Sequence, residues 1–377
     1  MIKQLSIKNF KCFDELNLEL APMTVLTGLN NMGKSSILQS LLLLRQSYHS
    51  SDKLYRNIRL KGTLVELGGA ADVFCESGSD DLMSFTLTTI QEGIITLYTL
   101  RGTFDVATQT FKDCYFSDMS NATSVSLFND NFHYICADRW GPKVVVPLSE
   151  YDVIHRNLGK YGEYIIHYLL THGEERFSDP RSFLNPDMPL LKESGKSLLQ
   201  QTQAWLGEIS PGTRIEPIAH RDIDVATLSF SFPYEYGYSK YYRSTHVGFG
   251  LSCVLPIIVA LLSLPTNGLV LLENPEAHLH PGGQSLMGKL MAQVAAAGTQ
   301  VIVETHSDHL LDGIRIAVRD SLLKPQQTAF HYFSRNEKKK IKVTTPQIDT
   351  EGRLDQWPEG FFDEAVKNLA ALSSRRR

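Results

Sequence analysis

The chain has 377 residues, 42% hydrophobic and 21% charged, with a formal net charge of -4. That is enough apolar material for a large core or for two to three packed units, and the slight acidity gives no overall attraction to nucleic acid or to an anionic membrane, so any such contact must come from a local patch. Five scattered cysteines (Cys12, Cys75, Cys114, Cys136, Cys253), none in a CxxC pair, argue against a disulfide framework and a zinc knuckle and fit a reducing cytoplasm, while no apolar run is long enough to span a bilayer and the N-terminus lacks a signal-peptide core.

In chain order, KQLSIKN and ELNLEL alternate as half-buried strands do, and MTVLTG is a short buried strand running into a glycine loop. The runs TLVEL, SFTLTT, IITLYTL and HYICA extend this into an antiparallel sheet. From about Tyr151 to Ser210 the spacing becomes helical, in YIIHYLL and LLKESGKSLLQQTQAWLGEI, with a breaker at 178–189 between them; this reads as a helical insertion. From about Arg214 a strand (ATLSFSF) leads into alternating helices and strands: SCVLPIIVALLSL, GLVLLEN, GGQSLMGKLMAQVAAA, TQVIVETH, SDHLLDGIRIAV and AFHYFSR. Such alternation predicts βαβ units and a parallel sheet flanked by helices, so the fold class is α/β.

Gly28-Leu29-Asn30-Asn31-Met32-Gly33-Lys34-Ser35 satisfies GxxxxGK[ST] between a predicted strand and a predicted helix, the context that gives the pattern meaning. The glycines let backbone N–H groups turn toward phosphate oxygens, the following helix, with Ser36 in its first turn, points its positive end at them, and Lys34 neutralises the β and γ phosphates. Ser35 is the expected Mg²⁺ ligand. The loop therefore predicts a nucleoside triphosphate, ATP with Mg²⁺.

The run Leu269–Leu272 predicts a buried strand ending at Glu273, a second expected ligand of the metal. A further apolar strand, VIVE, ends in Thr305, His306 and Ser307 at the carboxyl edge where open α/β sheets bind ligands, and there His306 could donate to the γ-phosphate or orient water.

Together these stretches resemble the ABC-type ATPases of the RecF, SMC and Rad50 kind, in particular the branch of the overcoming-lysogenization-defect (OLD) ATPases. The resemblance rests on IKNFKCFDELNLELAPMTVLTGLNNMGKSSILQ, HVGFGLSCVLPIIVALL, LLENPEAHLHP and VIVETHS, and the tail IDTEGRLDQWPEGFFDEAVKNLAAL is similar to a short C-terminal domain that accompanies some of these ATPases. It implies an ABC-type P-loop ATPase head with an antiparallel β subdomain, a central parallel sheet and a helical insertion. The expected divisions are an N-terminal lobe over 1–150, the insertion over 151–213, a C-terminal lobe over 214–335 and a small tail domain over 336–377.

The resemblance also implies that two heads close on two nucleotides as a homodimer or higher homo-oligomer, each glycine loop facing the other copy's signature helix. Here the signature falls on Val247-Gly248-Phe249-Gly250-Leu251-Ser252. Gly248, Gly250 and Ser252 are the expected nucleotide contacts, and with Val247 in the place of the usual serine, Ser252 or Thr245 stands in for its hydroxyl. Asn274 occupies the place of the usual catalytic glutamate. Asparagine accepts no proton from water, so either Glu276 serves as base or Asn274 only positions water and turnover is slow. His278 and His280 correspond to the loop along the dimer interface, which accounts for the group His278, His280, His306, His309, Glu273 and Glu276 without a transition metal.

Phe10 and Phe13 read as core and Lys11 as more exposed, near the loop. Arg139, Lys143, Gly159, Lys160 and Gly162 read equally as an interface or sensor loop or as ordinary turns. Lys338, Lys339, Lys340, Lys342 and Arg375–Arg377 read as solvated turns and a frayed end, with DNA contact across a dimer left open. OLD proteins carry a Toprim nuclease after the ATPase, for which no acidic arrangement is seen here; in antiphage defence the toxic activity would come from a partner effector, a nuclease being one candidate. No membrane partner is expected.

Overall fold

In the computed structural model the described residues are 1–49, 57–91, 93–117, 121–176, 196–337, 340–358, 360–361 and 372–373. The breaker at 178–189, the first six residues of the helix expected from 190, Lys338, Lys339 and Arg375–Arg377 lie outside them. The chain forms two compact units, one of Met1–Phe128, His306–Asp308 and Pro325–Arg377, the other of Asn129–Thr305 and His309–Lys324.

The first unit opens with β1 (Ile2–Phe10), β2 (Phe13–Glu19), β3 (Met23–Gly28), α1 (Lys34–Tyr48), α2 (Ala70–Val73), β4 (Leu82–Gln91), β5 (Ile94–Asp105) and β6 (Thr110–Phe116). Five strands form an antiparallel sheet in the order β2-β1-β4-β5-β6. Its registers place Phe85 opposite Leu100 and Leu87 opposite Tyr98, which puts one apolar set on one face. All four side chains are buried there, and Phe10 packs edge-on to Phe85 at 5.0 Å.

TLVEL is not the strand that its alternation predicts; its Glu66 makes only an isolated bridge, to Lys61. The reason is a side chain. Gln46 of α1, 5% exposed, donates from Nε2 to the carbonyls of Arg59 (2.8 Å) and Val65 (3.1 Å) and accepts at Oε1 from the N–H groups of Leu64 and Val65 (both 3.1 Å). One buried amide takes backbone groups that a strand would have used for pairing.

The second unit contains β7 (Phe132–Ile135), β8 (Val146–Pro147), α3 (Glu150–Ile154), α4 (Ile165–His172), α5 (Leu198–Ile209), β9 (Arg214–His220), β10 (Val225–Ser231), β11 (Pro233–Tyr234), β12 (Gly237–Tyr238), β13 (Tyr242–Arg243), α6 (Phe249–Ser263), β14 (Leu269–Glu273), α7 (Pro281–Ala296), β15 (Gln300–Glu304) and α8 (Asp308–Arg319). β14 pairs parallel with β15, as the βαβ reading requires, and parallel with β7 on its other side, so HYICA lies in this parallel sheet and not in the antiparallel one that its alternation predicts; all four β7 residues are buried, as in a strand covered on both faces. β9 and β10 instead form an antiparallel hairpin, with β8 and β13 beside β10. α5 starts at a capping box, Ser197 accepting from the Gln200 N–H and Gln200 returning to the Ser197 N–H. α6 is apolar on nearly every side and carries Pro256 within it; Gly162, at φ 77°, sets its turn against that ring.

The first unit resumes with β16 (Thr328–Arg335), parallel to β3, and β17 (Ile341–Thr344), antiparallel to β16. The lysine-rich run is thus partly a strand, with Lys342 opposite Ser334 and the Lys340 ammonium 3.0 Å from Asp14. His331 locks the layer: its Nε2 donates to the Glu19 carbonyl at 2.7 Å, leaving Nδ1 to accept from the Thr345 hydroxyl at 3.0 Å.

Candidate phosphate loop and acidic strand end

β3 ends at Gly28 and α1 begins at Lys34, so five residues make the turn. Gly28 has φ 137°, and a Cβ there would lie 2.2 Å from the carbonyl oxygen of Phe333, its partner on β16. Asn31 (φ 61°) and Gly33 (φ 85°) continue in left-handed conformations. A Cβ on Gly33 would meet the Phe13 ring at 2.5 Å and Cys12 Sγ at 2.6 Å, so the turn between β1 and β2 floors the loop. Phe10 and Phe13 are core, and Lys11, at φ 52°, donates to Gln39 at 2.6 Å; burial pushes its ammonium pKa down.

The Lys34 side chain is buried, and its ammonium donates to the carbonyls of Gly28 (2.9 Å) and Leu29 (2.8 Å), bracing the loop from within. Leu29, Asn30, Asn31 and Ser35 are exposed, whereas Met32 and Ser36 are buried. No acidic residue stands in the first turn of α1, whose N-terminus carries the positive end of the helix dipole. Glycines in left-handed conformations, a lysine inside the loop and a helix N-terminus with no acid in its first turn fit the phosphates of a nucleotide.

In the second unit, Glu273 ends β14. Its Oε1 accepts from the Tyr134 hydroxyl and its Oε2 from the Ala137 N–H, both at 3.0 Å, so the carboxylate has a fixed direction. Burial first, and then the Glu273 charge, push the Tyr134 phenol above its ordinary range and raise the Cys136 thiol to about 11, which keeps both neutral. Arg139 lies beneath, 6% exposed. Its Nε donates to Cys253 (2.8 Å), Nη1 to Cys136 (3.4 Å) and Glu273 (3.2 Å), and Nη2 to Asn274 (2.9 Å), in each case to the backbone carbonyl. Asn274 has φ 43°, donates its N–H to the Glu304 carbonyl at 2.8 Å, and aims Nδ2 at Glu276 Oε1 at 3.4 Å.

Three protein-family models match the chain: an AAA ATPase domain over residues 1–140, one described as "AAA domain, putative AbiEii toxin, Type IV TA system" over 146–312, and a domain of unknown function, DUF3696, over 323–372. An OLD nuclease from Thermus scotoductus is 22% identical over 94% of this chain and 68% of its own length. Among solved structures, an SMC head bound to the C-terminal winged-helix domain of ScpA superposes with a TM-score of 0.52 at 14% identity, over 92% of this chain and 98% of that one. A head domain with an extended coiled coil, bound to a ScpA domain from Pyrococcus furiosus, does so with 0.51 at 13%, over 99% of both chains. Two AAA ATPase domain models thus lie end to end on the chain, which is similar to the OLD and SMC-like ATPases. Its fold is that of the ABC-type SMC heads.

The remaining expected site residues of this ATPase are placed as follows. Gly248 caps α6 and is open to solvent, and a Cβ there would meet nothing within 4 Å, while Gly250 sits against the His278 carbonyl, where a Cβ would come to 2.5 Å. Phe249 is half exposed, its ring 4.6 Å from that of His278. Ser252 turns inward to a cavity of about 40 Å³ lined by Trp140, Ile166 and Pro256, and its hydroxyl is buried without a hydrogen-bond partner among the described residues; Thr245 is exposed. His280 N-caps α7, and His278 holds φ 66° in the turn before it. His306 is exposed after β15, between buried Thr305 and Ser307.

Of the pair of stretches that read equally as sensor loop or turns, Gly159 and Gly162 do form a tight turn, at φ 74° and 77°. That turn also holds the Arg139 loop, since the carbonyls of Lys160 and Tyr161 accept from the N–H groups of Cys136 and Trp140, both at 2.9 Å. Tyr134 and the Ala137 N–H were not legible as site groups. The only signal for them was HYICADRW, a buried strand followed by a charged pair. Among the described residues, no group of three or more His, Cys, Asp or Glu could hold a metal ion.

Proposed function

We propose that the chain binds ATP with Mg²⁺ and hydrolyses it slowly. The observation that carries this reading is the loop from Gly28 to Ser35, left-handed at Gly28, Asn31 and Gly33 and braced by Lys34. Backbone N–H groups of that loop and the start of α1 would hold the phosphates, the Lys34 ammonium would turn from the loop carbonyls to the β and γ phosphates, and Ser35 and Glu273 would each be a ligand of the metal. When bound, Mg²⁺ neutralises charge on the phosphates. Tyr134 and the Ala137 N–H keep the Glu273 carboxylate aligned.

Slow turnover follows from Asn274. Its amide cannot take a proton, and it donates instead toward Glu276, the one carboxylate close by in sequence that could act as base. His306 orients water or senses the γ-phosphate. Two copies close on two nucleotides, with Gly248, Gly250 and exposed Thr245 of one facing the phosphates of the other. The switch then controls DNA or a partner effector, a nuclease among the candidates, in antiphage defence. The OLD nuclease relative and the SMC heads bound to ScpA support a head that works with a partner. The engaged Asn274 favours a second reading, a scaffold that closes on ATP and scarcely hydrolyses it.

The test is calorimetry of Mg-ATP binding, with phosphate release and solution mass measured alongside. The parent takes up ATP and doubles its mass with it, Lys34→Ala abolishes uptake, and Glu276→Gln stops release while the dimer persists. A Lys34→Ala chain that takes up ATP like the parent would end the nucleotide reading. Release too slow to measure in the parent, with the dimer intact, selects the scaffold.

A further inference from the structure

Between β10 and the start of α6 the chain reads Phe232-Pro-Tyr-Glu-Tyr-Gly-Tyr-Ser-Lys-Tyr-Tyr-Arg243, a density of tyrosines that neither the core nor the nucleotide reading uses. β11 and β12 form a hairpin here with Tyr234 opposite Gly237, so Glu235 and Tyr236 make the turn. Tyr236 is 93% exposed and Tyr234 77%, with Tyr238 and Tyr241 also exposed. Large rings as exposed as those of Tyr234 and Tyr236 contribute little to folding, so the two together on one short turn, with Tyr238 and Tyr241 beside them, mark a contact surface.

The segment is also held in place. Ser239 donates its N–H to the Phe232 carbonyl at 2.9 Å and accepts at Oγ from the Phe232 N–H at 3.1 Å, while its carbonyl accepts from the Ser231 hydroxyl at 2.8 Å. The rings are therefore presented on a fixed base, with little further order to be imposed on binding. Cations are interleaved with them. The Arg214 guanidinium lies 3.4 Å over the Tyr238 ring and the Lys240 ammonium 5.5 Å over Tyr242; Arg243 follows, and the carbonyl of exposed Lys143 accepts from the Ser244 hydroxyl. Against these four cations stand Glu235 in the turn and Glu216 on β9, opposite Ser229. A patch of net positive charge studded with rings stands out on a chain whose formal charge is -4.

We infer that this hairpin is a binding surface for single-stranded nucleic acid, the rings of Tyr234 and Tyr236 stacking on successive bases while Lys240, Arg243 and Lys143 track the phosphates. Every base has a π-face and every nucleotide a phosphate, so the surface needs no base sequence. A duplex keeps its bases stacked on one another and offers these rings nothing, which separates this surface from one that binds phosphate alone. The inference names the polymer for the DNA-responsive form of the proposed function and rests on that reading only for its use; the binding itself requires no ATP.

The test is fluorescence anisotropy with labelled oligonucleotides of about 16 residues, a length that spans one such site: poly-dT, poly-rU, and a duplex, all without nucleotide. The full chain binds both single strands more tightly than the duplex, and comparison of dT with rU assigns the source as DNA or RNA. Each base stacked on an aromatic ring adds about 5- to 150-fold in affinity, so Tyr234→Ala/Tyr236→Ala weakens binding by at least about 25-fold, while Tyr234→Phe/Tyr236→Phe keeps it. Lys240→Gln/Arg243→Gln lowers the slope of log affinity against log salt by about 1.4. Lys34→Ala loses ATP uptake and keeps oligonucleotide binding, so the two readings fail separately. Absence of single-strand binding by the parent at about 50 mM salt, preference for the duplex, or an alanine pair that binds like the parent overturns the inference; the first of these results leaves a protein as the occupant.

Discussion

Replacing Arg139 by methionine tests how the acidic strand end is held. The guanidinium is buried and its pKa is lowered chiefly by that burial, so its charge is tolerated only because backbone carbonyls surround it. Of its four hydrogen bonds, those to Cys253 (2.8 Å) and Asn274 (2.9 Å) are short, and those to Cys136 and Glu273 are long. A charged hydrogen bond contributes about 1.5–3 kcal/mol net, so the short pair supplies about 3–6 kcal/mol. Methionine fills much of the space and removes the desolvation cost of the cation, which returns part of this and leaves a loss of roughly 2–4 kcal/mol. For a domain of ordinary size that lowers the melting temperature by about 5–15 °C. Lysine offers one compact charge where the fork meets carbonyls on three segments, so Arg139→Lys recovers less than half. The assay is thermal unfolding followed by near-UV circular dichroism, with Mg-ATP calorimetry beside it. A methionine variant that melts within about 1 °C of the parent would refute the assignment of Arg139 as the clamp.

Three further outcomes are expected. Tyr134→Phe removes one hydrogen bond from Glu273 and leaves the ring in place; loss of about 1 kcal/mol of alignment weakens Mg-ATP binding roughly fivefold with the fold unchanged, read by calorimetry and a melting curve. Gly28→Ala forces a methyl to 2.2 Å from the Phe333 carbonyl at a φ that L residues avoid, so it costs more than about 2 kcal/mol and abolishes nucleotide uptake; denaturant titration and calorimetry check it. His331 is held neutral in the folded chain, burial lowering its pKa to about 4 from the usual 6.5. Because the folded value is depressed, its contribution is fully present above about pH 6.5 and is lost as the pH falls toward about 4, up to ~3 kcal/mol in all. His331→Gln flattens stability measured across that window; an unchanged pH dependence would show that other groups govern it.

Much of the fold was legible because burial imposes a period. Leu269–Leu272 and VIVE are continuous apolar runs because β14 and β15 are covered on both faces, and SFTLTT alternates because β4 has one buried face. Where a side chain competes for the backbone, period is not enough: Gln46 holds residues 59–65 in the place of a strand, and Ile341–Thr344 is a strand although its neighbours are lysines, because β16 offers it an edge.

The glycine loop and the acid at the strand end are legible along the chain because both are local: a left-handed turn that calls for glycine at Gly28 and Gly33, and an apolar run that stops at a carboxylate. Tertiary structure alone decided what holds them. Tyr134, the Ala137 N–H and Arg139 reach Glu273 across a separation of more than a hundred residues, and Ser252 turns its hydroxyl into a cavity. Which groups a fixed carboxylate meets, and which way a helical serine faces, depend on packing between segments distant in the chain, and no spacing along it carries that information.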